Sequence, residues 1–197
     1  MSVWRRTSCL LLAVVLPLLP AAAAAQSTPI EYTVSVPAPE QRWLQVEARF
    51  PARAGVPLEV RMSRSSPGRY ATHEFGKNVY LFEARGTGEA TLAVEQVAPA
   101  HWRITPTGTS VNVRYRLFAD HVDGTYAAVD GTHAHLNAPA TFAWAPALPD
   151  TPIRIRFTQP AGRNWRVATQ LFPTDDPLTF TAPNLQYLLD SPVEFSD

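Results

Sequence analysis

The stretch Val111-Asn112-Val113-Arg114-Tyr115-Arg116-Leu117 decides the fold class. Val111, Val113, Tyr115 and Leu117 alternate with Asn112, Arg114 and Arg116. Side chains on a strand point to opposite faces in turn, so this pattern builds a strand with one buried and one wet face. The pattern recurs outward in both directions. Leu44, Val46, Ala48 and Phe50 alternate with Gln45, Glu47 and Arg49. Leu58, Val60 and Met62 alternate with Glu59 and Arg61, and Ile153, Ile155 and Phe157 with Arg154 and Arg156. Weaker alternation predicts further strands at residues 30–36, 78–84, 90–97, 102–105, 141–144, 165–169 and 178–181. Turn formers such as Pro67-Gly68, Gly86-Thr87-Gly88, Asp123-Gly124 and Asp130-Gly131 punctuate them. The expectation is an all-β fold, an antiparallel β-sandwich or saddle of sheets. The 19 prolines argue against long helices. One short helical turn is expected near the C-terminus, at residues 183–189.

The first 25 residues stand apart. Arg5 and Arg6 precede an apolar run from Leu10 to Leu19, followed by the small residues Ala21 to Ala25. This is the pattern of a cleaved signal peptide, so the mature protein is expected to be secreted, periplasmic or extracellular. The run is short and broken by Pro17, unlike a membrane-spanning helix of about 20 residues. Residues 26–197 then form one domain, with no membrane anchor. Cys9 is the sole cysteine, which excludes disulfides and thiolate chemistry from the mature chain. Basic and acidic residues balance at 17 each, so charge alone attracts neither nucleic acid nor an anionic membrane.

Motifs for chemistry are sparse. His73-Glu74-Phe75-Gly76-Lys77 starts like the zinc-peptidase signature HExxH, but a cationic lysine stands where the second histidine is needed. His133 and His135 lie two apart, so on a strand both face one side; a metal would still need a third ligand, from Asp130 or His121. No G-x-S-x-G nucleophile motif is present. Trp43, Trp102, Trp144 and Trp165 are expected mainly in the core, with a sugar platform as the rival reading. No metal, cofactor or catalytic residue is expected in this chain.

Five blocks, in order along residues 26–197, together resemble the N-terminal domain of the glycyl-aminopeptidase family, metallopeptidase family sixty-one. They are Ser66-Pro67-Gly68 with Tyr70, Glu74-Phe75 and Asn78-Val79; the strand at residues 113–119; Asp130, His133 and Asn137; the strand at residues 165–169; and Leu188-Leu189-Asp190-Ser191-Pro192-Val193-Glu194. His73, Ala134, His135, Ala138 and Gln186 depart from the family pattern. The resemblance implies a parent with three parts: this β domain, a thermolysin-like zinc domain carrying HExxH, and a PDZ-type domain. Zinc would belong to the catalytic domain absent from this chain.

The leading expectation is therefore a non-catalytic N-terminal domain of a secreted zinc-dependent aminopeptidase. It would pack on the catalytic domain and wall the substrate cleft, with peptide as an indirect partner. Glu194, Asn137 and His133 are the candidate substrate-binding residues. The alternative is a stand-alone secreted β-sandwich module that binds peptide or glycan. Leu185, Leu188, Leu189, Val193 and Phe195 are expected to form a bare apolar face at residues 183–195, for want of chain to cover them.

Overall fold

The structure, a computed structural model, describes residues 28–197; the signal-peptide reading of residues 1–25 lies outside them. Among the described residues, fifteen strands form three sheets. The largest sheet has the spatial order β13 (Phe172–Pro173), β14 (Thr179–Ala182), β11 (Ile153–Thr158), β1 (Ile30–Ser35), β2 (Trp43–Pro51), β8 (Ser110–Phe118), β4 (Val79–Gly86), β5 (Thr91–Leu92). A second sheet has the order β12 (Arg166–Thr169), β15 (Val193–Ser196), β10 (His133–Leu136), β9 (Ala128–Val129). The third is β3 (Leu58–Arg61), β7 (His101–Ile104), β6 (Val94–Ala98). Two short helices, α1 (Ala138–Thr141) and α2 (Leu185–Leu189), lie beside the sheets. No helix among the described residues is long and apolar enough to cross a membrane.

The all-β reading holds. Strands β2, β3, β8 and β11 fall where the alternation placed them, and the apolar residues of that alternation are buried. The core lies under the inner face of the large sheet. Tyr32 meets Phe142 at 5.0 Å between ring centroids, Phe157 meets Phe195 of the second sheet at 5.7 Å, and Phe82 stacks on Trp102 of the third at 4.2 Å. A fully buried phenylalanine such as Phe142, Phe157 or Phe195 contributes about 1.5–3 kcal/mol. One pairing departs from the antiparallel expectation: β1 lies parallel to β11, with Ile30 opposite Ile153. Parallel neighbours need a long connection, and most of the chain runs between these two strands.

Four expectations change. Residues 141–144 are not a sheet strand. They leave α1 as a largely buried segment in which tyrosine hydroxyls bond Thr141 and Ala143, while Trp144 pairs with Arg61. Tyr115 donates to the Thr141 carbonyl (2.7 Å) and accepts from the Ala143 N–H (2.9 Å), while Tyr32 donates to the Ala143 carbonyl (2.8 Å). Burial pushes both phenol pKa values upward, keeping them neutral donors. Residues 90–97 divide into β5 and β6, which serve different sheets. The tryptophans split: Trp102 and Trp165 are core, whereas Trp43 and Trp144 are half-buried and Arg116 lies 4.1 Å over the Trp43 ring.

The fourth change concerns the C-terminus, which is not a bare apolar face. Its last strand, β15, runs between β10 and β12, so Val193 and Phe195 are buried, as is Leu188 of α2. Trp165 packs edge-on against Phe195 at 5.3 Å. The large apolar side chains most open to solvent are instead Tyr70, fully exposed, and Val122, 86% exposed.

Candidate functional site

Strand β10 alternates as its sequence dictates: Ala134 and Leu136 point into the core, His133 and His135 away from it. Antiparallel pairing with β15 sets His135 opposite Glu194 and His133 opposite Ser196. Cross-strand partners share a face, so Glu194 stands beside His135, with Nδ1 2.5 Å from the Glu194 Oε1. Glu194 is half exposed, and the opposite ring nitrogen of His135, Nε2, is buried without a partner.

Asp130 shapes the approach to β10. Its Oδ1 accepts from the Thr132 N–H (2.7 Å), the Thr132 hydroxyl (2.6 Å) and the His133 N–H (3.1 Å), an Asx-type turn. The Thr132 hydroxyl, the Thr132 N–H and the His133 N–H hold its carboxyl down to about 2. His133 Nδ1 lies 3.1 Å from the Thr132 hydroxyl and 3.3 Å from Asp130. Across from these groups the loop carrying Val122, Asp123 and Gly124 rises, and Asp123 accepts from the Thr125 N–H at 2.7 Å. Together they enclose an open cleft of about 310 Å³ lined by Glu194, His133, His135, Val122 and Asp123.

Of the sequence-predicted residues, Glu194 and His133 share this cleft and Asn137 does not line it. Asn137 is buried at 7% exposure, and its side-chain amide donates to the Ser66 hydroxyl (3.1 Å) and to the Thr125 carbonyl. It ties the Ser66 loop, which carries Tyr70, to the loop of Val122. The Arg69 guanidinium comes near Gly124 from the first loop. Sequence reading missed the pairing of His135 with Glu194 and the contribution of Val122 and Asp123. Only the β10–β15 register reveals the first; the Asp123-Gly124 turn signal marked the second without placing it.

The residues of the broken zinc motif do not fit a metal. The His73 ring stacks on Phe75 at 5.1 Å, and Lys77 Nζ lies 5.6 Å above Tyr126. Among the described residues no group of three His, Cys, Asp or Glu side chains is placed to hold a metal ion.

The chain matches the model of the Peptidase M61 N-terminal domain over residues 31–197. No curated protein matches it. Among solved structures it is similar to an aminopeptidase N family protein from Idiomarina loihiensis, with a TM-score of 0.79 and 21% identity over 85% of this chain and 29% of that one. It is also similar to an M1 zinc metallopeptidase from Deinococcus radiodurans, with a TM-score of 0.50 and 14% identity over 85% of this chain and 41% of that one. The chain thus spans less than half the length of either protein, and at these identities the likeness is one of fold.

Proposed function

The chain belongs to the Peptidase M61 N-terminal domain family, and from that premise we propose that it is the non-catalytic front domain of a secreted, zinc-dependent aminopeptidase. It packs on the catalytic domain, which holds the zinc, and walls one side of the substrate cleft. The family match over nearly all of the described residues carries this reading.

The cleft supplies substrate recognition. A peptide's free N-terminus is an ammonium group, and a carboxylate receives it through charge-assisted hydrogen bonds. Glu194 presents such a carboxylate, oriented by His135, with His133 on the same face. Asn137 serves the cleft indirectly, by holding the Ser66 and Val122 loops together. Tyr70 and Val122, exposed on those loops, are the apolar groups that the catalytic domain covers.

The test joins this chain to a zinc catalytic domain of the same family and measures turnover of a peptide with a free amine. Glu194→Gln is expected to lower kcat/KM at least tenfold while leaving the melting temperature unchanged. Full activity in both Glu194→Gln and His133→Ala would overturn the cleft-wall role. It would leave the stand-alone binding module as the better reading.

A further inference from the structure

A second concavity, about 560 Å³, shares no lining residue with the Glu194 cleft and is independent of the proposed function. Its floor is apolar, made by Met62 with Ala98, Pro99 and Ala100 of the β6–β7 turn. Arg61, Arg64, Glu74 and His101 stand around it.

The walls are built before any ligand arrives. The Met62 N–H donates to the Ala100 carbonyl at 3.0 Å, and Arg61 exchanges two backbone hydrogen bonds of 2.8 Å with Trp144. Gly76 presses against the turn so closely that a Cβ there would lie 2.7 Å from the Ala100 Cβ and 2.8 Å from the Pro99 carbonyl oxygen. Such backbone approach demands glycine and fixes the wall. Preformed, largely apolar clefts with a few convergent polar groups are the usual form of a small-ligand site.

The charges choose the ligand. Arg61 is exposed on β3, opposite His101 in register. Glu59, the carboxylate two residues before it on the same face, is already taken by His101 and by Arg103 at 2.7 Å. Glu74, across the cleft, is taken by Arg64 at 2.6 Å. The neighbouring ion pairs are thus Arg64–Glu74, His101–Glu59, Arg103–Glu59 and Arg103–Glu95, and none includes Arg61. An uncommitted guanidinium lining an apolar cleft suits an oxyanion on an apolar body, and a carboxylate fits its fork bidentately.

We infer that this cleft binds an apolar carboxylate, as presented by the C-terminal residue of a peptide or by a free aryl acid. Arg61 receives the carboxylate, and Met62 and the Pro99–Ala100 turn receive the apolar group. Glu74 opposes binding, because it holds Arg64 away and adds a like charge.

The test titrates the full chain with acetyl-Ala-Ala-Leu bearing a free carboxylate, with its C-terminal amide, and with 3-phenylpropionate, read by calorimetry and by amide NMR shifts. The acid peptide should bind at least tenfold more tightly than the amide. Arg61→Gln should lose at least tenfold and Glu74→Gln should gain about threefold, each with an unchanged melting temperature. Ala98→Trp, at an exposed position, should block the cleft. Comparable affinity for 3-phenylpropionate would support the site and assign it to free acids; much weaker affinity would support it and assign it to peptide C-termini. Equal binding of acid and amide, or an Arg61→Gln variant that binds as well as the parent, would overturn the inference.

Discussion

Asn137 and Asp130 show how single side chains hold the candidate site. Asn137 donates to the Ser66 hydroxyl and to the Thr125 carbonyl from a buried position. Replacing it with alanine strands both acceptors, at a cost of about 1–3 kcal/mol. Asn137→Ala should therefore lower the urea midpoint and speed amide exchange in the two loops it ties, whereas Glu194→Gln, half exposed, should leave the midpoint in place. Equal effects of the two substitutions would show that Asn137 bears no such load. Asp130 sets a pH dependence. Its carboxyl sits near 2 when folded, against about 3.9 for a free aspartate. A depressed carboxyl stabilises the fold fully above about pH 4, and that contribution drains away as the pH falls toward 2. Thr132→Val removes the largest cause, so the NMR titration midpoint of Asp130 should rise toward the ordinary value; an unmoved midpoint would contradict the Asx-turn account. Glu194 is legible in the sequence only through a family resemblance, and His133 through that and its two-residue spacing from His135. Their placement on one cleft is not, because His135 and Glu194 are 59 residues apart and alternation within a strand carries no register with a distant one.

Among the elements, β15 shows what alternation reveals and what it leaves out. Strands β2, β8 and β11 are long enough to display the period of two, and each lies where its residues indicated, as does β3, whose alternation runs on past the strand to Met62. Val193-Glu194-Phe195-Ser196 has the same period over only four residues, and it was read as the tail of an exposed segment. Its burial comes from being sandwiched between β10 and β12, a fact of topology. Residues 141–144 differ the other way: their apolar look is real, but Tyr32 and Tyr115 hydroxyls bond Thr141 and Ala143, and only Trp144 pairs as a strand would, with Arg61. Phe195 is fully buried against Trp165 and Phe157. Phe195→Ala should cost about 3–5 kcal/mol in chemical denaturation, and removal of the residues after Ala182 should abolish cooperative unfolding. A truncated chain that unfolds with the parent's midpoint would show that β15 is dispensable.

At the scale of the whole molecule, the sheets close over one core, and the most exposed large apolar side chains among the described residues stand on two tied loops: Val122 on the loop lining the Glu194 cleft, and Tyr70 on the loop that Asn137 joins to it. Loops tied together by Asn137, with exposed apolar tips, are suited to docking, because the tie lowers the ordering entropy lost on contact. The central claim is that this domain completes a zinc aminopeptidase without supplying its chemistry. The most direct measurement titrates this chain into a separately purified zinc catalytic domain of its family and follows hydrolysis of an aminoacyl p-nitroanilide. The account predicts no turnover by this chain alone, a saturable rise in the catalytic domain's activity as it is added, and loss of that rise with Glu194→Gln. A catalytic domain whose activity is the same with and without the chain would contradict it.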